Sequence, residues 1–186
     1  MPDLYVALIH HPIVNKEGKT VTTSVTNFDL HDLSRNCQTF GVKKLFIVTP
    51  MINQLNMVNY IRDYWQEGFG SQYNPSRKQA FDVLQVSPNI EDTCLTIKKL
   101  SGKEAHLVAT TAKYSDKSVG YSFVRNQIEK GDRPILLVFG TGFGLAPEFF
   151  AKVHYVLEPI YGAGDYNHLP VRSAVAIILD RLVGRN

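Results

Sequence analysis

Three loops rich in glycine and hydroxyl groups concentrate the chemical potential of this 186-residue sequence. They are Thr110-Thr111-Ala112-Lys113, Gly140-Thr141-Gly142-Phe143-Gly144, and the longer Glu158–His168, EPIYGAGDYNH. Each follows a short apolar run, and all lie in the C-terminal half. Glycine lets a backbone approach a ligand closely or take positive φ. The third loop runs into Leu169–Val183, a segment apolar nearly all round, which a helix can be only if it is buried. Arg172 and Ser173 stand at the start of that helix, where an anion is favoured. Pro170 falls in its first turn, and Asn167 is placed to cap it.

The GTGFG loop invites comparison with a dinucleotide fingerprint, and Glu158 follows Gly140 by 18 residues, near the expected ribose-binding acid. The pattern departs from that fingerprint. The third glycine comes one position early, a short segment opened by Pro147 follows, and only 28 residues remain after Glu158. A nicotinamide-dependent oxidoreductase would rest on GTGFG alone.

The elements that position these loops read as alternating strands and helices. Strands are expected at Leu4–His10, Leu45–Thr49, Ala105–Thr110, Ile135–Phe139 and Tyr155–Leu157. Such runs suit a parallel sheet buried on both faces. Helices are expected at Asn27–Phe40, Ile52–Gln66, Arg77–Leu84, Ile90–Leu100, Lys117–Lys130, Pro147–Lys152 and Leu169–Val183. The fold class is therefore α/β, an open, mostly parallel sheet with helices on both faces and right-handed crossovers. Ligands of such sheets bind beyond the carboxyl ends of the strands, where the three loops lie. Gly68–Ser76 reads as an irregular loop and His11–Val25 as a polar connection. Neither suggests a boundary, so residues 1–186 are expected to form one domain.

Composition fits an ordinary globular protein, with 44% hydrophobic and 20% charged residues. A net charge of +3 permits a polyanionic partner without the dense basic stripe of a dedicated duplex binder. Cys37 and Cys94 lack metal spacing and read as buried free thiols. The pair His10-His11 lacks a third ligand at recognisable spacing, so no metal is expected. No apolar run reaches the length of a membrane span, and Met1–His10 lacks the form of a signal peptide; the expected location is the cytoplasm.

Three ordered segments carry a family resemblance. Thr26–Pro50 (TNFDLHDLSRNCQTFGVKKLFIVTP), Leu136–Glu148 (LLVFGTGFGLAPE) and Glu158–Leu182 (EPIYGAGDYNHLPVRSAVAIILDRL) together cover about a third of the chain. The sequence resembles the SPOUT superfamily of S-adenosylmethionine-dependent RNA methyltransferases. The resemblance implies a C-terminal trefoil knot, S-adenosylmethionine as cofactor, tRNA or rRNA as partner and a homodimer as the working unit. It implies cofactor contacts from Thr110, Thr111 and Ala112, and from Phe139, Gly140, Gly142 and Gly144. The third loop and helix start would add Glu158, Pro159, Ile160, Tyr161, Gly162, Asn167, His168, Leu169, Val171, Arg172 and Ser173. The chain is a divergent branch. Asp29 stands where the SpoU-type pattern has Asn six residues before the Arg, Gly142 where it has Glu, and His168-Leu169-Pro170 where it has Ser-Leu-Asn.

Methyl transfer from a sulfonium needs in-line approach of a nucleophile and removal of one proton. Arg35 matches the family's functional Arg; read simply as a helix residue, it would pair with Asp32 at i,i+3. The stripe Leu30, Leu33, Cys37, Phe40 places it off the core face. Asp29 is a candidate proton acceptor, yet Thr26-x-x-Asp29 also reads as a capping box. Asp165 would be the base for a ring-nitrogen acceptor. The reading is methyl transfer to a base nitrogen or ribose 2′-hydroxyl of RNA. The alternative is a non-catalytic RNA- or nucleotide-binding protein that keeps the fold.

Overall fold

The computed structural model describes residues 3–185. Strand β1 (Leu4–Ile9) lies inside its sheet and is buried at every position. It pairs in parallel with β4 (Lys44–Val48) on one side and β8 (Ile135–Gly140) on the other. Beyond β4 lies β5 (Leu84–Ser87). Beyond β8 lie β6 (His106–Ala109), β9 (Tyr155–Leu157) and β7 (Ser118–Val119), giving the order β5-β4-β1-β8-β6-β9-β7. Every pairing in this seven-stranded sheet is parallel.

Alternation along the strands divides the core in two. Val6 and Leu8 of β1 point to one face, with Leu45, Ile47 and Leu137. That face is covered by α1 (Asn27–Thr39), α2 (Ile52–Gln66), α4 (Pro75–Phe81), α6 (Tyr121–Lys130) and α7 (Val171–Val183). Tyr5, Ala7 and Ile9 point to the other, with Phe46 and Val138, under α5 (Ile90–Ser101) and a 3-10 turn at Pro147–Ala151. This is the two-sided α/β sandwich that continuous apolar strands require.

Local chemistry sets the element ends. Thr26 caps α1 in a capping box with Asp29. Asn89 caps α5, and Gly102 ends it at φ 75.

Several expectations need correcting. The helix expected at Arg77–Leu84 runs from Pro75 to Phe81, because the Asn74 side chain caps it at Arg77 N and Pro75 opens it. Leu84 then begins a strand, in register with Leu45. Gly68–Ser76 is not an irregular loop but holds a short helix, α3 (Phe69–Tyr73), and the start of α4. Within His11–Val25 lies a hairpin of β2 (Ile13–Val14) and β3 (Thr20–Val21). The helix expected from Lys117 starts at Tyr121, because Ser118 and Val119 pair with β9 as an edge strand. Helix α7 starts at Val171, with Pro170 as its cap residue and no side-chain cap, so Asn167 does not cap it. Its burial is one-sided: Val175, Ile178, Leu179 and Leu182 are buried, while Ala174, Ala176 and Ile177 are only partly covered.

Candidate functional site

Strands β8, β6 and β9 are neighbours and parallel, so the three glycine and hydroxyl loops leave the same edge of the sheet side by side. The first loop is fastened at its root: Thr110 N and Oγ1 both donate to the Val138 carbonyl of β8, at 2.9 and 3.1 Å. The third is tied to the first by Asn167 Nδ2, which donates to the Ala112 carbonyl at 3.0 Å. Thr110, Thr111, Ala112 and Asn167 are thus gathered into one wall. Tyr161, Gly162, Asp165, His168 and Leu169 lie exposed along the rim; Phe139 and Pro159 are buried beneath it and Ile160 is partly so.

The β8 loop is held differently. It doubles back so tightly that a Cβ on Gly140 would lie 2.8 Å from Leu145 N. Gly142 takes φ 56, a left-handed conformation natural to glycine. The β2–β3 hairpin grips the other side. Val14 N donates to the Gly144 carbonyl at 3.0 Å, and Ile13 bridges Leu145. The loop leads into a 3-10 turn at Pro147–Ala151 and opens no α-helix, which removes the dinucleotide reading of GTGFG.

Glu158 has a local task. Its Oε1 accepts from Tyr121 N at 3.1 Å, at the start of α6. A carboxylate there satisfies one of the free N–H groups of a helix end and complements its dipole.

Arg35, Arg172 and Ser173 form a second grouping. With Asp32, Asn36 and Thr39 they line a polar cleft of about 450 Å³ between α1 and α7. Asp32 does not pair with Arg35. Its Oδ2 lies 3.3 Å from Arg172 Nε, and Arg172 also covers the Phe28 ring at 5.2 Å. Asn36 Nδ2 donates to the Arg172 carbonyl at 3.3 Å. Arg35 is exposed and makes no ion pair with a described carboxylate. The roles of Asp32 and Asn36 were not legible in sequence, because each depends on a partner more than 130 residues away; their flanking of Arg35 was the one available signal.

Asp29 is the capping residue that its spacing allowed. Its Oδ2 accepts from Thr26 N at 3.1 Å and from Thr26 Oγ1 at 2.6 Å, and the residue is 7% exposed. It sits near His10, whose pKa burial pushes down to about 4, against the upward pull of Asp29 and a bond to Thr23. His31 packs edge-on against Trp65 and Phe81, and burial, with Arg77 and Arg35 nearby, lowers its pKa. Cys37 is wholly buried and Cys94 partly so; burial raises both thiol pKa values, which keeps them protonated and unreactive. His11 bonds Thr22 and the Val21 carbonyl, so it serves the hairpin. Among the described residues no helix is long and apolar enough to cross a membrane.

Residues 3–184 match the family described as SAM-dependent RNA methyltransferase. The chain belongs to that family. An uncharacterized protein of Aquifex aeolicus (strain VF5) is 41% identical over 184 residues, 99% of this chain and 90% of that protein. A protein of Oleidesulfovibrio alaskensis named tRNA (guanine-N(1)-)-methyltransferase is 37% identical over 182 residues. The match takes in 98% of this chain but spans only 42% of that relative. Among solved structures, the SpoU methyltransferase AviRb from Streptomyces viridochromogenes, in complex with AdoMet, superposes with a TM-score of 0.58 at 15% identity. That superposition covers 97% of this chain and 57% of AviRb. The family member described here therefore has the SPOUT-type α/β fold that its three motifs implied, and S-adenosylmethionine is the family's cofactor.

The residues present fit such a cofactor. The β8 turn is fixed by the close packing of Gly140 on Leu145, and the neighbouring loops carry carbonyl, amide and hydroxyl groups with Lys113 as their one lysine or arginine. That donor set suits a zwitterionic nucleoside better than a polyphosphate.

Proposed function

We propose that this protein transfers the methyl group of S-adenosylmethionine to a tRNA or rRNA, at a base nitrogen or a ribose 2′-hydroxyl. The observation that carries the reading is the convergence of three loops on one sheet edge, with Asn167 bonded to Ala112, in a chain that also presents an exposed Arg35 with no ion pair among the described residues. S-adenosylmethionine supplies an electrophilic methyl group when bound. Thr110, Thr111 and Ala112, the Phe139–Gly144 turn and the Glu158–Gly162 loop would hold it, with His168, Leu169, Val171 and Ser173 completing the rim. Arg35 and Arg172 would hold an RNA phosphate at the α1–α7 cleft. Asp165, exposed in the third loop, is the better placed of two candidate proton acceptors, because Asp29 is engaged in its cap. The name of the Oleidesulfovibrio relative favours tRNA as substrate. Its guanine-N1 chemistry belongs to a chain more than twice as long and is not carried over.

Residues 1–186 would act as one domain, in the cytoplasm, where free Cys37 and Cys94 are at home. Insertion of β8 between β1 and β6, and of β9 between β6 and β7, favours a C-terminal trefoil knot. A homodimer across the α1–α7 seam is favoured by exposed Phe28 and Leu169 and the half-covered Ile177.

Calorimetry with pure protein is expected to give a Kd for S-adenosylmethionine in the micromolar range, lost in Gly140→Trp. Labelled methyl incorporation into total RNA then tests transfer. Binding without incorporation would favour the second reading, a non-catalytic RNA- or nucleotide-binding protein; the occupation of Asp29 and Glu158 by helix ends is what favours it. No binding at all would end the methyltransferase reading.

A further inference from the structure

His10 follows β1 at the edge where the three loops emerge, is completely buried, and is used by none of the roles above. Its Nδ1 lies 3.0 Å from Thr23 Oγ1. The Thr23 hydroxyl meets the Thr141 hydroxyl, and Thr141 Oγ1 lies 3.1 Å from the Ile9 carbonyl. Each threonine has a single hydroxyl hydrogen, and a carbonyl can only accept. The Thr23 hydrogen has a second acceptor in reach, the His10 carbonyl at 3.5 Å, but the Thr141 hydroxyl is much the nearer, and all three bonds then form together in one direction only: His10 Nδ1–H donates to Thr23, Thr23 to Thr141, and Thr141 to Ile9 O. The reverse direction makes one bond fewer and sets a lone pair of Thr141 against the carbonyl. His10 is therefore the neutral Nδ1–H tautomer, and the lone pair on Nε2 is buried with no protein partner.

The receiving end of this relay is the residue between Gly140 and Gly142. The hairpin and the residues just after it, Thr23 among them, pack on the same turn: a Cβ on Gly142 would stand 3.2 Å from Ile13 Cγ2 and 3.3 Å from Thr23 Cγ2. Phe143 N donates to the Val14 carbonyl at 3.3 Å. The turn is thus clasped from outside the sheet, and the clasp is anchored in the core through one imidazole.

We infer that His10 is a positioning residue for the cofactor. As an Nδ1–H donor it fixes, through Thr23, the Thr141 hydroxyl and with it the Gly140–Gly142 backbone against which S-adenosylmethionine binds. The inference rests on the cofactor reading of the β8 loop. It gives a part in binding to the His10–Thr23 segment, which contributes no residue to the proposed cofactor contacts.

Four substitutions test it. His10→Leu and Thr23→Val cut the relay. His10→Asn keeps an N–H near the position of Nδ1 while deleting Nε2, and Thr23→Ser keeps the hydroxyl. Cofactor Kd by calorimetry, steady-state KM and kcat, and amide hydrogen exchange at Phe143 and Gly144 are the readouts. His10→Leu and Thr23→Val are expected to raise the Kd about tenfold, the scale of one lost buried hydrogen bond, and to raise the cofactor KM more than they lower kcat. Exchange at both amides should quicken. His10→Asn and Thr23→Ser should stay within about twofold of wild type on every readout. The inference is overturned if the near-isosteric Thr23→Val binds cofactor as wild type does, or if folded His10→Asn behaves like the relay-cutting variants. If His10→Leu does not fold, the Thr23 pair decides alone. Failure of the wild-type protein to bind would remove the cofactor reading and this inference with it; wild-type binding with an unaffected Thr23→Val would remove the inference only.

Discussion

Two glycine-bearing loops stand one strand apart at the same edge of the sheet, and their glycines do opposite work. In the loop after β8, Gly140 and Gly142 are steric necessities: one lies where a Cβ would strike backbone, the other has φ 56 and leaves a Cβ pressed against Ile13 and Thr23. In the loop after β9, Gly162 and Gly164 face open space, and neither has positive φ. The first loop is clamped by the hairpin and the His10 relay. The second has one cross-tie, Asn167 to Ala112, and every residue from Tyr161 to Asp165 is exposed. A ligand meeting the first wall finds it ready, whereas a ligand meeting the second must order it, at a cost of roughly 1–2 kcal/mol per residue fixed. The proposed site therefore pairs a rigid register for the cofactor with an adaptable side.

The contrast breaks most readily at Gly142. Gly142→Ala puts a Cβ into the left-handed region and against two methyl groups, and should cost about 2 kcal/mol of stability, read by denaturant unfolding. Cofactor affinity should fall in the same variant. A loss no larger than that of a surface substitution would show that the clamp does not exist. Asn167→Ala removes the single tie of the second wall. Its expected effect is a rise in cofactor Kd of about fivefold, near 1 kcal/mol, with little change in melting temperature, since an exposed loop holds little of the fold together. A large fall in melting temperature would mean that the second wall is structural too. Smallest is Gly164→Ala, expected to change stability by no more than about 0.5 kcal/mol and cofactor binding hardly at all. A strong effect there would erase the distinction between the loops.

Sequence reading could not separate these loops, because a glycine required by a close approach and one that merely fills a turn are written alike. What distinguishes them is the hairpin at Ile13–Val21, which packs on Gly142 from over 100 residues away and consists of two-residue strands too short to leave a periodic signal. The long apolar runs were different. LYVALI and ILLVF announced themselves as buried parallel strands by their strand-like length and continuous apolar character, while YVL proved only partly buried. The local cap of Thr26 and Asp29 was legible, but that of Asn74 on Arg77 N was not, and a helix start was also misplaced where an edge strand borrowed residues from a helical pattern, as at Ser118 and Val119. Arg35 was placed correctly off the core by the stripe Leu30, Leu33 and Cys37. Its freedom from Asp32 was not, since that carboxylate goes to an arginine on a helix at the far end of the chain.

That misdirected carboxylate has a further consequence. Asp32 makes Arg172 a pre-loaded ion exchanger: the guanidinium already faces an anion, held in place by the Asn36 amide on its own carbonyl and by the Phe28 ring. A phosphate arriving at the proposed cleft would displace a carboxylate instead of ordering a loose side chain, while Arg35 beside it would receive charge that no described carboxylate neutralises. In the proposed site, then, Arg172 would contribute a swap of nearly equal partners and Arg35 the net electrostatic gain, so the salt sensitivity of RNA binding would be concentrated in Arg35.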